Sequence, residues 1–174
     1  MGAALDAGFL QLSALTHWSG KFPPWMNPHR CARISGTVLA SVGNFSQMSL
    51  FSKDDRMIVV WGYSFVQPAA GTVNVFDSGG AISATVVGSP AAVVQGDTPP
   101  GVQMLSATPA AAPATNWTIG IGGNVSSLWL GPFAFSIIQK GNGLTFTTGV
   151  VNQNLIGSLM VSVIEPDELP IQFR

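Results

Sequence analysis

The chain of 174 residues carries only 7 lysine and arginine and 8 aspartate and glutamate residues, so 9% of it is charged, against about 25% in a typical soluble domain. With 47% hydrophobic residues and a net charge of -1, copies of the chain repel one another only weakly. This composition argues against an abundant free monomer. It also argues against nucleic-acid binding, because phosphate affinity requires clustered lysine and arginine side chains.

The most apolar stretches of the sequence are too short to cross a membrane as helices. Residues 57–66 and 128–138 fall short of the roughly 20 residues that a spanning helix needs, and glycines interrupt both. Residues 1–15 have no cationic side chain before their apolar part, unlike a secretory signal. We therefore expect no membrane partner, and we expect the apolar surface to be buried against other protein chains.

The body of the chain has the pattern of a β domain. Only Asp77 and Asp97 are charged between residues 57 and 139, and β-branched residues and turn formers dominate there. Short alternating or apolar segments, bounded by glycine and proline, occupy residues 57–66, 71–76, 81–87, 91–94, 102–105, 117–121, 128–130, 133–139, 144–148 and 158–164. We predict an all-β jelly-roll or β-sandwich of about 8–10 short antiparallel strands over residues 51–174.

Two local patterns lead to finer predictions. The two-residue period at the end of the first segment predicts that Trp61, Tyr63 and Phe65 share one strand face. Residues 140–143, Lys-Gly-Asn-Gly, predict a hairpin turn between the segments 133–139 and 144–148. For the tryptophans within strands (Trp61, Trp117 and Trp129), core positions are favoured over an exposed platform for sugar rings.

Residues 1–50 differ in kind and are interpreted as an extended N-terminal arm. Helical spacing of apolar residues near the start predicts a short helix, and a mixture of aromatic residues and prolines follows it. Such an arm forms no core of its own, so it packs either on its own β domain or on a neighbouring subunit. The candidate arm and assembly contacts are Phe9, Leu12, Trp18, Phe22, Trp25 and Met26.

The inventory of reactive side chains favours a protein that is not an enzyme. His17, His29 and Cys31 come closest to a metal site, but their spacing matches no standard set of ligands. No serine lies in a nucleophile turn such as Gly-x-Ser-x-Gly. Asp77 and Asp97 are the main candidates for a hydrolase, and solvated turns explain them more simply. We therefore predict no catalytic residue, no metal and no cofactor.

The C-terminal part resembles a known class of proteins. Residues 135–148, FSIIQKGNGLTFTT, and residues 154–166, NLIGSLMVSVIEP, are similar to the closing strands of small jelly-roll or β-sandwich domains in tailed-phage virion proteins. There a glycine turn precedes a strand, and the last strand ends in an acidic residue. The resemblance implies a capsid decoration, cement or other minor virion protein that oligomerises about a symmetry axis. It carries over no catalytic residue.

Two functions follow as expectations. The first is a structural subunit on the phage capsid surface, made in the host cytoplasm, whose partners are its own copies in an oligomer such as a trimer and a major capsid or other virion protein. The second is a host-receptor or carbohydrate-binding module at a phage tail or fibre, with residues 116–127 as the recognition loop. Exposed aromatic side chains and loop amides would serve this second function.

Overall fold

The computed structural model describes residues 28–53, 56–121, 127–130 and 136–164, with only the backbone of 127–130. The strands are β1 (Cys31–Val38), β2 (Gln47–Ser52), β3 (Met57–Val66), β4 (Gly71–Ser78), β5 (Val86–Gly88), β6 (Pro90–Ala92), β7 (Val102–Ala107), β8 (Trp117–Ile121), β9 (Ser127–Leu130), β10 (Ser136–Ile138), β11 (Gly143–Thr148) and β12 (Leu155–Ile164). A 3-10 turn, Pro28–Arg30, precedes β1. Within these described ranges, no helix has the length and hydropathy needed to cross a bilayer.

The strands form two antiparallel sheets. Sheet A has the order β10-β3-β12-β1-β6, with β9 also paired to β3, and sheet B has the order β5-β7-β2-β11-β4-β8. The two sheets pack face to face through one apolar cluster that draws on both. This architecture confirms the predicted all-β sandwich, with twelve strands in the described ranges where about 8–10 were expected.

The core is centred on two phenylalanines from opposite sheets. Phe65 of β3 and Phe146 of β11 are both fully buried, and their ring centroids lie 4.6 Å apart. Burial of an aromatic or aliphatic side chain of this size stabilises the fold by about 1.5–3 kcal/mol. Beside them, Gly157 of β12 leaves room for the Phe65 ring, because a Cβ there would lie 2.7 Å from ring atom Cε1.

The assignment of residues 31–50 to an irregular arm is wrong. β1 pairs with both β12 and β6 within sheet A, and β2 pairs with β11 and β7 at the centre of sheet B. The physical reason is visible in β1, where Ala32, Ile34 and Val38 turn inward and are buried while the residues between them are exposed or half-buried. The rest of the predicted arm, residues 1–27, lies outside the described residues.

A β-bulge at Trp61 divides β3 into two parts. Even-numbered residues face the core before the bulge, and odd-numbered residues face it after the bulge. On β12, Met160 pairs with Gly62 and the next residue pairs with Val60, so Trp61 is the extra residue on β3. Before the bulge Ile58 and Val60 face the core, and after it Phe65 does. Trp61 therefore points away from the face of Tyr63 and Phe65, and the prediction that the three share a face is wrong.

The predicted hairpin between the strands at residues 133–139 and 144–148 is also wrong. β10 pairs with β3 in sheet A, whereas β11 pairs with β2 and β4 in sheet B. The turn itself forms as expected, since the Asn142 amide donates to the Gln139 carbonyl and Gly141 has a φ of +74°. The turn passes the chain from one sheet to the other instead of folding it back within one sheet.

The two long sides of the sandwich differ. On one side β5 and β6 are the edge strands, and β5 packs so tightly on β1 that a Cβ on Gly88 would lie 2.2 Å from the Ser35 carbonyl oxygen. Only glycine allows such a close approach of two backbones. On the other side β10 and β8 are the edges, and a cleft lined by residues of both sheets lies there.

Candidate assembly surface and cleft

Exposed apolar side chains gather at one end of the sandwich, in a patch that we call the apolar tip. It consists of Leu39 and Val42 in the β1–β2 loop, Val150 in the β11–β12 loop, and Ile156 at the start of β12. Their exposed fractions are 69%, 97%, 49% and 45%. Clustered exposed apolar side chains of this kind are typical of interaction surfaces, whereas single ones are ordinary.

The two loops of the apolar tip are hydrogen-bonded to each other. The Gly43 and Ala40 amides donate to the side-chain oxygens of Asn152 and Asn154, each at 2.7 Å. The Asn152 amide in turn donates to the Asn44 carbonyl oxygen at 3.0 Å. Asn152 has a φ of +62°, a conformation that asparagine tolerates better than most residues. These contacts hold the two loops side by side.

The surroundings of the apolar tip favour its burial by a partner. Residues 34–52 and 141–164, which include both loops, contain no charged residue. A partner therefore desolvates no ion there, and the loops are already fixed before contact. The sequence pattern does not single out these four residues, because they lie in separate segments of the chain and only the fold brings them together.

A cleft of about 580 Å³ lies at the opposite end of the sandwich, on its open side. Its apolar wall includes Met57 and Ile137, and Trp117 also lines it. Gln139 and Asn142 contribute amide side chains. An aromatic ring beside several polar groups in one concavity can hold a small organic ligand.

Asp77 is the ionisable group of this cleft within the described residues. Its carboxylate accepts a hydrogen bond from the Asn116 side-chain amide, Nδ2 to Oδ2, at 3.1 Å. Trp117, the next residue, starts β8 and packs partly against the core. β4 and β8 are paired neighbours, and this pairing holds the carboxylate, the amide and the indole at the cleft.

The prediction that the strand tryptophans are buried is confirmed for Trp61 and holds only in part for Trp117. Trp61 is 5% exposed, as a buried residue should be. Trp117 is half-buried, in contact with both the core and the cleft. The side chain of Trp129 lies outside the described residues, as do residues 122–126 of the predicted recognition loop.

All six predicted assembly contacts of the arm lie outside the described residues: Phe9, Leu12, Trp18, Phe22, Trp25 and Met26. They stay predictions. The described chain begins with the 3-10 turn Pro28–Arg30, which contacts β12. His17, the first member of the weak metal pattern, also lies outside.

The other members of that pattern take separate roles. His29 Nδ1 lies 2.8 Å from Asp97 Oδ2, as an exposed pair at the surface. Cys31 is half-buried at the start of β1, and burial raises the pKa of its thiol. Across residues 28–53, 56–121 and 136–164, no three His, Cys, Asp or Glu side chains group closely enough to hold a metal ion.

Asp77 and Asp97, the carboxylates considered for hydrolysis, lie on opposite sides of the sandwich. Asp77 lines the cleft beside β10, whereas Asp97 follows β6 and contacts His29 beside β1. β10 and β6 are the two edges of sheet A, four strand spacings or about 19 Å apart. A glycosidase pair needs about 5–9.5 Å, so these two residues do not form one.

The segments that resemble phage virion proteins form β10, β11 and β12. β11 is central in sheet B and β12 is central in sheet A, so both segments contribute a central strand to the sandwich. Comparison of the chain with protein-family models, with curated proteins and with solved structures finds no match in any of the three. The virion resemblance stays a prediction.

Proposed function

We propose that this chain is a non-enzymatic structural subunit of a virion, a decoration or cement protein on the head of a tailed phage. It oligomerises with its own copies, as in a trimer, and binds a major capsid or other virion protein. It is made in the host cytoplasm and resides on the capsid surface. The observation that supports this proposal best is the apolar tip, four exposed apolar side chains on two loops and the adjoining start of β12, in segments without charge.

The tip has the properties of a contact between protein chains. Burying apolar surface contributes about 25 cal/mol per Å², and a charge-free patch adds no desolvation penalty for ions. The backbone hydrogen bonds to Asn152 and Asn154 fix both loops in advance, which lowers the entropy lost on association. The low charge of the whole chain is consistent with a surface that copies cover in the assembly.

A charged residue at the tip tests this function. We expect Val42→Glu to abolish oligomers, because a carboxylate would be desolvated in the contact. Virions assembled in the presence of this variant should carry none of it. Val86→Glu is the matched control, since Val86 is 45% exposed but lies on the edge strand β5 of sheet B. Full occupancy of virions by the Val42→Glu protein would overturn the proposal.

The arm has a separate role in this proposal, as the segment that grips the shell or a neighbouring subunit. A chain without residues 1–28 should keep a folded β domain, because every described strand lies after this segment. We expect the truncated protein to lose binding to the particle, measured by sedimentation with purified virions. Binding at full occupancy would contradict the role of the arm.

The cleft favours a second candidate function, a carbohydrate-binding or host-receptor module at a phage tail or fibre. Sugars stack on aromatic rings and exchange hydrogen bonds with carboxylates and amides. Trp117, Asp77 and Asn142 supply these groups within the cleft. This module would use the end of the sandwich opposite the apolar tip.

A glycan array tests the second function. We expect binding by the full chain that Trp117→Ala and Asp77→Asn each abolish, with Asp97→Asn as a matched control on the far side of the sandwich. Because Trp117 also contacts the core, the Asp77 variant separates lost recognition from lost stability. Absence of binding to every glycan and host surface would remove this candidate.

A further inference from the structure

The cleft contains a charged residue at a position where the strand pattern places core side chains. Val73 and Val75 of β4 are fully buried in the core, and Asp77 is the next residue on the same face of that strand. Asp77 pairs with Leu144 of β11, which is also fully buried in the core. Directly paired side chains lie on the same face of a sheet. The carboxylate is therefore on the face of sheet B that is turned toward sheet A.

A charge at this position breaks the pattern of its strand. An apolar side chain at position 77 would extend the core between the sheets, whereas Asp77 is exposed at its open end. Between residues 57 and 139 the chain has only one other charged residue, Asp97. Departures from a consistent strand pattern are typical of functional positions. The carboxylate therefore sets the chemistry of the cleft as a binding site.

Trp117 lies beside this carboxylate on the same face of the sheet. It pairs with Val75, so Asp77 and Trp117 are diagonal neighbours, and such positions lie about 7–8 Å apart. The Asn116 side-chain amide donates to one carboxylate oxygen, Oδ2, and a ligand can bind the other. A cation placed between the carboxylate and the indole lies within the roughly 6 Å of a ring centroid over which aromatic faces attract cations.

We infer that the cleft binds a small organic ammonium ion, with Asp77 as its counter-ion and the Trp117 ring beside its charge. The described residues that line the cleft include no lysine, arginine or histidine, so a cation meets no like charge among them. Met57 and Ile137 form an apolar wall for the carbon chain of the ligand, and Gln139 offers an amide oxygen to its N–H groups. The volume of about 580 Å³ is that of a small-molecule site.

This binding activity goes beyond both candidate functions. It uses the same cleft as the carbohydrate-binding candidate but does not rest on it, because the ligand is selected by its charge and needs no sugar ring. A neutral sugar uses the carboxylate of Asp77 as a hydrogen-bond acceptor alone, whereas an ammonium ion also gains from its charge. A charged ligand and a neutral ligand of the same size therefore separate the two activities.

NMR titration of the full, ¹⁵N-labelled chain tests the inference. The probes are the pentylammonium ion and its neutral counterpart 1-pentanol, at about pH 7, where the amine is protonated. We expect pentylammonium to shift the Trp117 indole N–H signal and to bind about tenfold more tightly than 1-pentanol. The difference should shrink as sodium chloride rises from about 20 to about 200 mM.

Two outcomes of this titration would overturn the inference. One is an equal affinity for the two probes, and the other is a set of shifts confined to residues outside the cleft. Binding of neutral sugars together with equal affinities for the two probes would support the carbohydrate-binding function instead.

A variant without the charge gives a second readout. Asp77→Asn keeps the size of the side chain and an oxygen for the Asn116 amide, so the fold should be retained. We expect this variant to bind pentylammonium about tenfold more weakly and 1-pentanol equally well. Asp97→Asn is the matched control, because Asp97 contacts His29 on the far side of the sandwich and should change neither affinity. Unchanged binding of pentylammonium by Asp77→Asn would contradict the role of the carboxylate.

An ammonium group also occurs on the lysine side chains of proteins. The third probe is therefore a peptide with one lysine flanked by glycines and with both ends blocked. We expect this peptide to bind more weakly than pentylammonium, because its backbone must also be held at the mouth of the cleft. Binding of the peptide without binding of pentylammonium would overturn the assignment to a small ligand.

Discussion

The indole Nε1–H of Trp61 donates a hydrogen bond to the Ser162 hydroxyl at 2.6 Å, and both residues are buried. The pair joins β3 to β12 on the outer face of sheet A, at the bulge where Trp61 is the extra residue. Indole can only donate, so a buried tryptophan requires an acceptor close by. Ser162 is that acceptor, which explains a fully buried serine beside the apolar cluster of Met57, Val59, Trp61 and Ile164.

Removing this acceptor should destabilise the domain. We expect Ser162→Ala to lower the free energy of unfolding by about 1–3 kcal/mol, because the Trp61 N–H would remain buried without a partner. Urea denaturation measures the change. Ser158→Ala is the control: Ser158 is exposed on the same face of β12, and its hydroxyl bonds the exposed Ser35 hydroxyl at 2.8 Å. Losing that solvated hydrogen bond should change stability by less than about 0.5 kcal/mol. Equal losses in both variants would show that the buried, unpartnered indole N–H is not the cause.

The close approach of β5 to β1 makes a second prediction. We expect Gly88→Ala to destabilise the domain by about 1–3 kcal/mol, because the added Cβ would meet the Ser35 carbonyl oxygen at 2.2 Å. A backbone atom cannot rotate away as a side chain can. Gly120→Ala in β8 is the control, since its Cβ would have no neighbour within 4 Å. A stability of Gly88→Ala equal to that of Gly120→Ala would contradict the packing of these strands.

The thiol of Cys31 should ionise at a higher pH than an ordinary cysteine thiol. Burial disfavours the charged thiolate and raises the pKa of Cys31 above its ordinary value, and only the thiolate reacts with alkylating reagents. We expect iodoacetamide labelling of the folded protein to reach half its maximal rate at a higher pH than labelling of the urea-unfolded chain. The raised pKa also means that stability is retained below the thiol pKa of the unfolded chain and falls as pH rises through the folded value. A midpoint at or below that of the unfolded chain would contradict the burial.

Much of the fold could be predicted from local sequence patterns, and the wrong predictions can be traced to particular segments. Alternation and glycine or proline boundaries located β3, β4, β8 and β11 closely. β4 and β8 alternate because each buries one face, whereas β11 is buried at every position and β3 at most of its positions. The same alternation is present in β1, but the prolines and aromatic residues just before it suggested an irregular arm. A Gly-Asn-Gly sequence predicts a turn, yet it holds no information on whether the next strand joins the same sheet.

The candidate site depends far more on tertiary structure. Val42 and Val150 lie far apart in the sequence, and only the pairing of β1 with β12 and of β2 with β11 brings their loops together. The cleft similarly joins β4, β8 and β10 across two sheets. The sequence pattern drew attention to Trp117 and Asp77 separately, but not to their meeting in one cleft. The bulge at Trp61 leaves no recognisable pattern, since it depends on the register between two strands.

The mass of the purified protein in solution tests the proposed assembly most directly. Sedimentation equilibrium at protein concentrations up to about 100 μM covers the affinities expected of such interfaces. We expect a trimer or a larger closed ring for the wild type and for Val86→Glu, and a monomer for Val42→Glu. A wild-type protein that remains monomeric at every concentration would contradict assembly through the apolar tip.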